Sequence, residues 1–141
     1  MRQQTGSGSP WEDIVGYSRA VRVGNIIEVA GTTAMDGDTL VGKGDIYAQA
    51  KFIFQKIEKA LQQLGASLND VVRTRMFVTN IDEWELAGKA HGEFFAGIKP
   101  VATMVEVKRL IRDDLLIEIE VTAIIPLSAT VFGEFYSDRN L

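Results

Sequence analysis

Two carboxylates lie two residues apart in the run LLIEIEVTAII at 115–125, and they are the side chains in this sequence best suited to moving protons. Leu115, Ile117, Ile119, Val121 and Ala123 alternate with Leu116, Glu118, Glu120 and Thr122, so a strand here buries one face and carries both acids on the other. A carboxyl group on a partly covered surface is a candidate general acid or base, because burial raises its pKa toward neutrality. The competing reading is structural: Lys108 set against Glu118 across a hairpin makes an ion pair worth well under about 1 kcal/mol if exposed. Nucleophilic and metal chemistry have fewer parts. The chain has 1 histidine and 0 cysteines, so thiolates are absent and a Ser-His-Asp triad or a zinc site has one imidazole to draw on. That histidine, His91, stands near Phe94 and Phe95 on an expected helix, where packing is its first reading.

Several elements must position these groups. The segment DVVRTRMFVTN alternates Val72, Thr74, Met76 and Val78 with Arg73, Arg75, Phe77 and Thr79, and the second set is expected to join the acid-bearing face. In GIKPVATMVEV, Pro100 opens a strand expected over about 101–110; paired as a hairpin with 115–124, it would turn Ala102, Met104, Glu106 and Lys108 toward the acids. Upstream, two short strands flank the GN dipeptide of GYSRAVRVGNIIEVAGT, a hairpin signal. Tyr47, Ala50, Phe54, Ile57, Leu61 and Leu64 recur at spacings of three and four, predicting a helix with Asp45 as N-cap and Gly65 as its left-handed close. A second helix over DEWELAGKAHGEFFAG has Asp82 as its expected N-cap, Glu85 three residues on, and a buried stripe of Trp84, Ala87, His91 and Phe94 or Phe95. The order of strands and helices predicts an α+β layer: a mixed sheet with two helices packed on one face. The other face mixes Arg, Glu, Met, Phe and Ile, too apolar for water and too charged for a core, so subunits are expected to meet there.

Composition narrows the partners. With 141 residues and 46% hydrophobic content the chain suits one domain with its own core, expected over 11–126 between a flexible arm at 1–10 and an extension at 127–141. The aromatic content of the extension argues that part of it docks on something. The 15 basic residues are outnumbered by 19 acidic ones, giving a net charge of −4 and no electrostatic excess for phosphates, which counts against nucleic acid. No apolar run approaches the roughly 20 residues of a membrane span, and the N-terminus lacks a signal-peptide core, so a cytoplasmic location is expected.

The stretches GYSRAVRVGNIIEVAGTTA, VVRTRMFVTNIDEW and KPVATMVEVKRLIRDDLLIEIEVTAI closely resemble the YjgF/RidA family of reactive-intermediate deaminases, from about Trp11 to Ile125. The resemblance implies a chorismate-mutase-like fold, assembled as a homotrimer with small-molecule clefts between subunits, hydrolysing imines or enamines without a cofactor. It places Tyr17, Gly31, Thr103 and Met104 in the cleft and Glu118 as the acid that orients water. It also implies an arginine two residues after Pro100, where this chain has Ala102; Gly88 and His91 likewise replace an asparagine and a tyrosine of the deaminases. Alanine cannot hold a carboxylate, so the usual 2-imino acid substrates are disfavoured. Arg75, on the expected cleft face, is a candidate replacement cation, and an ordinary ion pair with an interface glutamate is its equal alternative. Three functions follow: a hydrolase of a reactive metabolite, a non-catalytic metabolite-binding trimer, and, last, the ribonuclease or translation-inhibitor activity attached to some relatives.

Overall fold

The computed structural model describes residues 1–127; the extension from 128 onward lies outside the described residues. Eight strands and three helices follow one another: β1 (Arg2–Thr5), α1 (Pro10–Val15), β2 (Ala20–Val23), β3 (Ile26–Thr32), β4 (Met35–Asp36), β5 (Thr39–Leu40), α2 (Ile46–Gln63), β6 (Val71–Val78), α3 (Trp84–Phe95), β7 (Val101–Glu106) and β8 (Ile117–Ile124). Six strands form one mixed sheet in the order β1-β2-β3-β8-β6-β7, while β4 and β5 make a separate two-stranded ribbon. The α+β expectation holds, with one helix more than foreseen: α1 is a short turn capped by Ser9 and closed by Gly16 at φ +89°.

Helix α2 forms as its periodicity dictates. Asp45 accepts a hydrogen bond from the Ala48 amide at 3.1 Å, and Gly65 takes φ +83° just past the last turn. Its inner face, including Ile46, Ala50, Ile53, Phe54, Ile57 and Leu61, is buried against α3 and the sheet. From the sheet come Ile27, Val29, Met76, Val78, Ile117, Ile119, Val121 and Ala123. Phe54 is the hub, with Phe94 and Phe95 ring centroids at 5.2 and 5.4 Å.

Four expectations about local structure are corrected. Arg2–Thr5, read as part of a flexible arm, pairs antiparallel with β2; its polar side chains carry no apolar alternation, and the ladder rests on backbone bonds. Asn80, not Asp82, caps the second helical region, accepting from the Asp82 amide at 3.0 Å ahead of a single 3-10 turn. Trp84 is exposed, leaving Ala87, Ala90 and Phe95 as the buried side of α3. Most consequential is β7, which ends at Glu106 and pairs in parallel with β6 rather than as a hairpin with β8. Helix α3 carries the chain between β6 and β7 as a crossover, and β8 inserts between β3 and β6. Register partners share a pleat, so Ala102 and Met104 lie with Thr74 and Met76 on the helix-covered face, and Val101, Thr103 and Val105 lie with Arg73, Arg75 and Phe77 on the open one. The Lys108–Glu118 pair does not form.

Candidate functional site

Glu118 faces away from the helices, as the alternation of β8 requires, with Ile117 and Ile119 fully buried on either side. Opposite it, β3 carries an irregularity: Val29 pairs with Val121 but Thr32 pairs with Ile119, so an extra residue is accommodated between them. This bulge presents the backbone of Gly31 to the acid. A Cβ built on Gly31 would stand 2.5 Å from Glu118 Oε2 and 3.0 Å from its Cδ, so any larger residue here would push the carboxylate out of its seat. Thr32 closes the bulge by donating to the Ala30 carbonyl at 2.8 Å. Burial raises the Glu118 pKa above the ordinary carboxylate value; Arg19 opposes that shift and Glu120 adds to it.

Arg19, which the sequence reading did not single out, completes the cluster. Its Nη2 donates to the Gly31 carbonyl at 2.8 Å, and its Cζ lies 5.8 Å from the Tyr17 ring centroid. Tyr17, Arg19 and Val21 are at strand parity, the signal that could have placed this cation beside Gly31. On the far side of the bulge, Lys56 reaches from α2 and donates to the carbonyls of Thr33 and Met35 at 2.9 and 2.8 Å. Its pKa is lowered, first by burial and then by Arg19.

The remaining candidates fall into two groups. Arg75 and Glu120 form an ion pair at 3.5 Å on the open face, one strand from Glu118, with Thr103 beside Arg75 on β7. Arg75 thus has a glutamate partner within the chain, as its ion-pair alternative requires. Ala102, Met104 and His91 are not on the face of Glu118. His91 Nε2 meets Thr74 Oγ1 at 2.8 Å, its ring stacks near Phe54 and Phe95 with centroids at 5.7 and 4.8 Å, and burial lowers its pKa. The packing reading of His91 is what the geometry supports. The structure thus unites Tyr17, Arg19, Gly31 and Glu118, with Arg75 and Thr103 farther along the same open face and Ala102, Met104 and His91 on the covered one. An open groove of about 540 Å³, lined by Arg2, Gln4, Glu12, Tyr17, Glu28 and Ala30, borders the Glu118 cluster. Among the described residues no cluster of three His, Asp or Glu side chains is placed to hold a metal ion, and no helix is long and apolar enough to cross a membrane.

Comparison with known proteins bears on this arrangement. Residues 9–125 match the family described as Endoribonuclease L-PSP. The chain belongs to this family, which includes the YjgF proteins. A solved structure from Mycobacterium tuberculosis, described as a member of the YjgF/YER057c/UK114 family, is 49% identical, covers 89% of this chain and all of its own, and superposes with a TM-score of 0.81. An uncharacterized protein of Streptomyces coelicolor is 40% identical over 117 residues, covering 83% of this chain and 87% of its own length. A RutC family protein of Pyrococcus abyssi is 40% identical over 108 residues, covering 76% of this chain and 84% of its own. The mixed α+β fold matches YjgF-family structures, here with α2 and α3 packed on one face of the sheet, and the family match spans every element from α1 to β8.

Proposed function

We propose that this YjgF-family chain is a cofactor-independent hydrolase of small imines or enamines, working in clefts formed where copies of the chain meet across the open sheet face. The observation that carries this reading is the Glu118 carboxyl, seated against Gly31 with its pKa raised by burial and a guanidinium nearby. A carboxylate with a raised pKa is a competent general base near neutrality. Ionised Glu118 takes a proton from water as the oxygen bonds to the imine carbon and passes it to nitrogen, giving a carbinolamine. Glu118 then takes the carbinolamine hydroxyl proton and hands it to nitrogen as the C–N bond breaks, so that a carbonyl compound and ammonia leave. An enamine reaches the same path after protonation at carbon.

The cleft requires self-association, and a homotrimer is the assembly proposed. Val23, Ile26, Val101, Val105 and Ile124 are between 38% and 56% exposed on a face that also carries Arg75 and Glu120, a composition suited to contact between copies. The test is ammonia release from freshly generated 2-iminobutyrate or 2-aminoacrylate, with sedimentation of the same sample. The expected result is a rate above the blank that falls about 100- to 10,000-fold in Glu118→Ala, the range typical of a lost general base. A wild-type rate equal to the blank removes the hydrolase, and a lone 15.6 kDa particle that is active removes the shared cleft.

A second reading, a metabolite-binding trimer without turnover, is favoured by Ala102: no cation stands at that position of β7, and Arg75 is already paired with Glu120. It predicts saturable thermal stabilisation by small ligands with no ammonia. Ribonuclease chemistry, suggested by the family's description, would lack a histidine at Glu118, since His91 is packed against Thr74 on the opposite face.

A further inference from the structure

Arg19 and Glu118 flank one glycine: the guanidinium holds the Gly31 carbonyl at 2.8 Å, and the carboxylate rests against the Gly31 α-carbon. Yet the two make no ion pair, although elsewhere on the described surface arginines do pair, Arg75 with Glu120 and Arg112 with Asp114. A guanidinium has five N–H donors in a planar fork. The Tyr17 ring lies near it, the Gly31 carbonyl takes one Nη2 bond, and Nε is buried with no hydrogen-bond partner among the described residues. The buried Nε is closed to a ligand, and the donors left for a planar oxyanion are those of Nη1, which has no hydrogen-bond partner among the described residues, with the second hydrogen of Nη2 beside it. The cation stands on the β2–β3 side of β8, whereas Ala102 lies on β7, two strands away on the other side of it.

We infer that Arg19 is the ligand-binding cation of this site, receiving a small carboxylate or similar planar oxyanion, and that anion binding there is coupled to protonation of Glu118. The inference rests on the reading of Glu118 as the working acid–base group. The coupling follows from charge. The Arg19 field favours the ionised form of Glu118, a bound anion cancels that field, and Glu118 then gains a proton more readily. Linkage is reciprocal, so the anion must bind more tightly as Glu118 becomes protonated. A metabolite carrying a carboxylate next to its imine carbon would thus favour protonated Glu118, which becomes the ionised base once its proton has passed to the imine nitrogen. The other charged groups around the pair are Glu120 on β8, Arg73 and Arg75 on β6, Glu28 on β3 and Lys56 from α2, with Arg2, Glu12 and Asp13 along the bordering groove. Glu118→Gln separates the Glu118 proton from theirs.

The test is calorimetric titration of the full chain with 2-oxobutyrate and with its uncharged counterpart 2-butanone, at pH 5 and pH 8 in buffers of different ionisation enthalpy. The expected result is saturable 2-oxobutyrate binding at least tenfold tighter than 2-butanone, tighter at pH 5 than at pH 8, with net proton uptake. Arg19→Gln should weaken 2-oxobutyrate at least tenfold, Arg19→Lys less, and Glu118→Gln should bind it with neither proton uptake nor this pH dependence. The comparison of acid with ketone uses the wild-type chain alone and so stands even if Arg19→Gln misfolds. The inference is overturned by no saturable 2-oxobutyrate binding, by equal affinity for the ketone, by wild-type affinity in Arg19→Gln, or by proton uptake that survives Glu118→Gln. Arg19-dependent binding without ammonia release retains this inference and removes the hydrolase; ammonia release indifferent to Arg19→Gln does the reverse.

Discussion

The two faces of the central sheet treat polar groups in opposite ways. Under the helices, polarity is closed off: fully buried Gln49 accepts from the Leu116 amide at 2.9 Å and donates to the carbonyls of Gly42 and Asp114 at 3.2 and 3.1 Å. Buried Thr74 meets His91 at 2.8 Å in the same layer. On the open face the charged groups are left partly engaged. Arg75 and Glu120 are 3.5 Å apart and each more than a third exposed, Arg19 Nε has no partner among the described residues, and Glu118 sits half-buried against a glycine. A polar group whose bonds are complete within the fold has a structural task. An ionisable group held in place with its charge uncompensated costs stability, and that cost is explained when a ligand or another copy completes it.

Breaking the covered face should give the largest effect. Phe54→Ala removes a fully buried ring that three aromatic neighbours contact, and is expected to destabilise the chain by about 3–5 kcal/mol in denaturant unfolding. A loss below about 1 kcal/mol would mean the helical layer is loosely packed. The next effect is smaller and depends on pH. His91→Gln keeps a polar partner for Thr74 but loses the ring packing, and should cost about 1–3 kcal/mol at pH 7. The His91 pKa is depressed, so the wild type holds its full contribution above the ordinary value near 6.5 and loses it as pH falls toward the folded value. The gap between the two proteins should therefore narrow from pH 7 to pH 5. A gap that widens would place a charged His91 in the fold and move it from the packing group to the functional one.

How much of each face could be read from sequence follows the same division. The covered face rests on local periodicity: the α2 stripe from Ala50 to Leu64, the alternation of β8, and the hairpin at Gly24 and Asn25 all appear where spacing puts them. Tertiary pairing is not local, so the parallel partnership of β6 with β7 was missed, and with it the facing of Ala102, Thr103 and Met104. Val72 also breaks its expected parity. A register shift between Val71 and Arg73 turns it outward, where it is 40% exposed. The site suffered most from a second irregularity of the same kind. Alternation put Glu118 on the open face and family resemblance gave it a role with Tyr17 and Gly31; strand parity could have put Arg19 on that face too, but its bond to Gly31 depends on the bulge at Ala30–Gly31. A bulge leaves no period in the sequence to detect.

The smallest effect separates the faces most sharply, because its sign is opposite to the others. Glu118 has a raised folded pKa, with burial the leading cause. At pH below the ordinary carboxylate value of about 4.3 it is protonated in both folded and unfolded chains and carries no penalty. As pH rises, the unfolded chain ionises first, and the folded state loses stability until the raised pKa is passed; above that the loss is constant. Glu118→Gln keeps the shape and cannot ionise, so it should match the wild type near pH 4 and exceed it at pH 7, by a few degrees of Tm at most, measured at one fixed chain concentration. A gain in stability together with lost turnover is the signature of a group strained for function. If Glu118→Gln is instead destabilised equally at both pH values, the carboxylate belongs with Gln49 as a structural acceptor, and the open face loses its claim to chemistry.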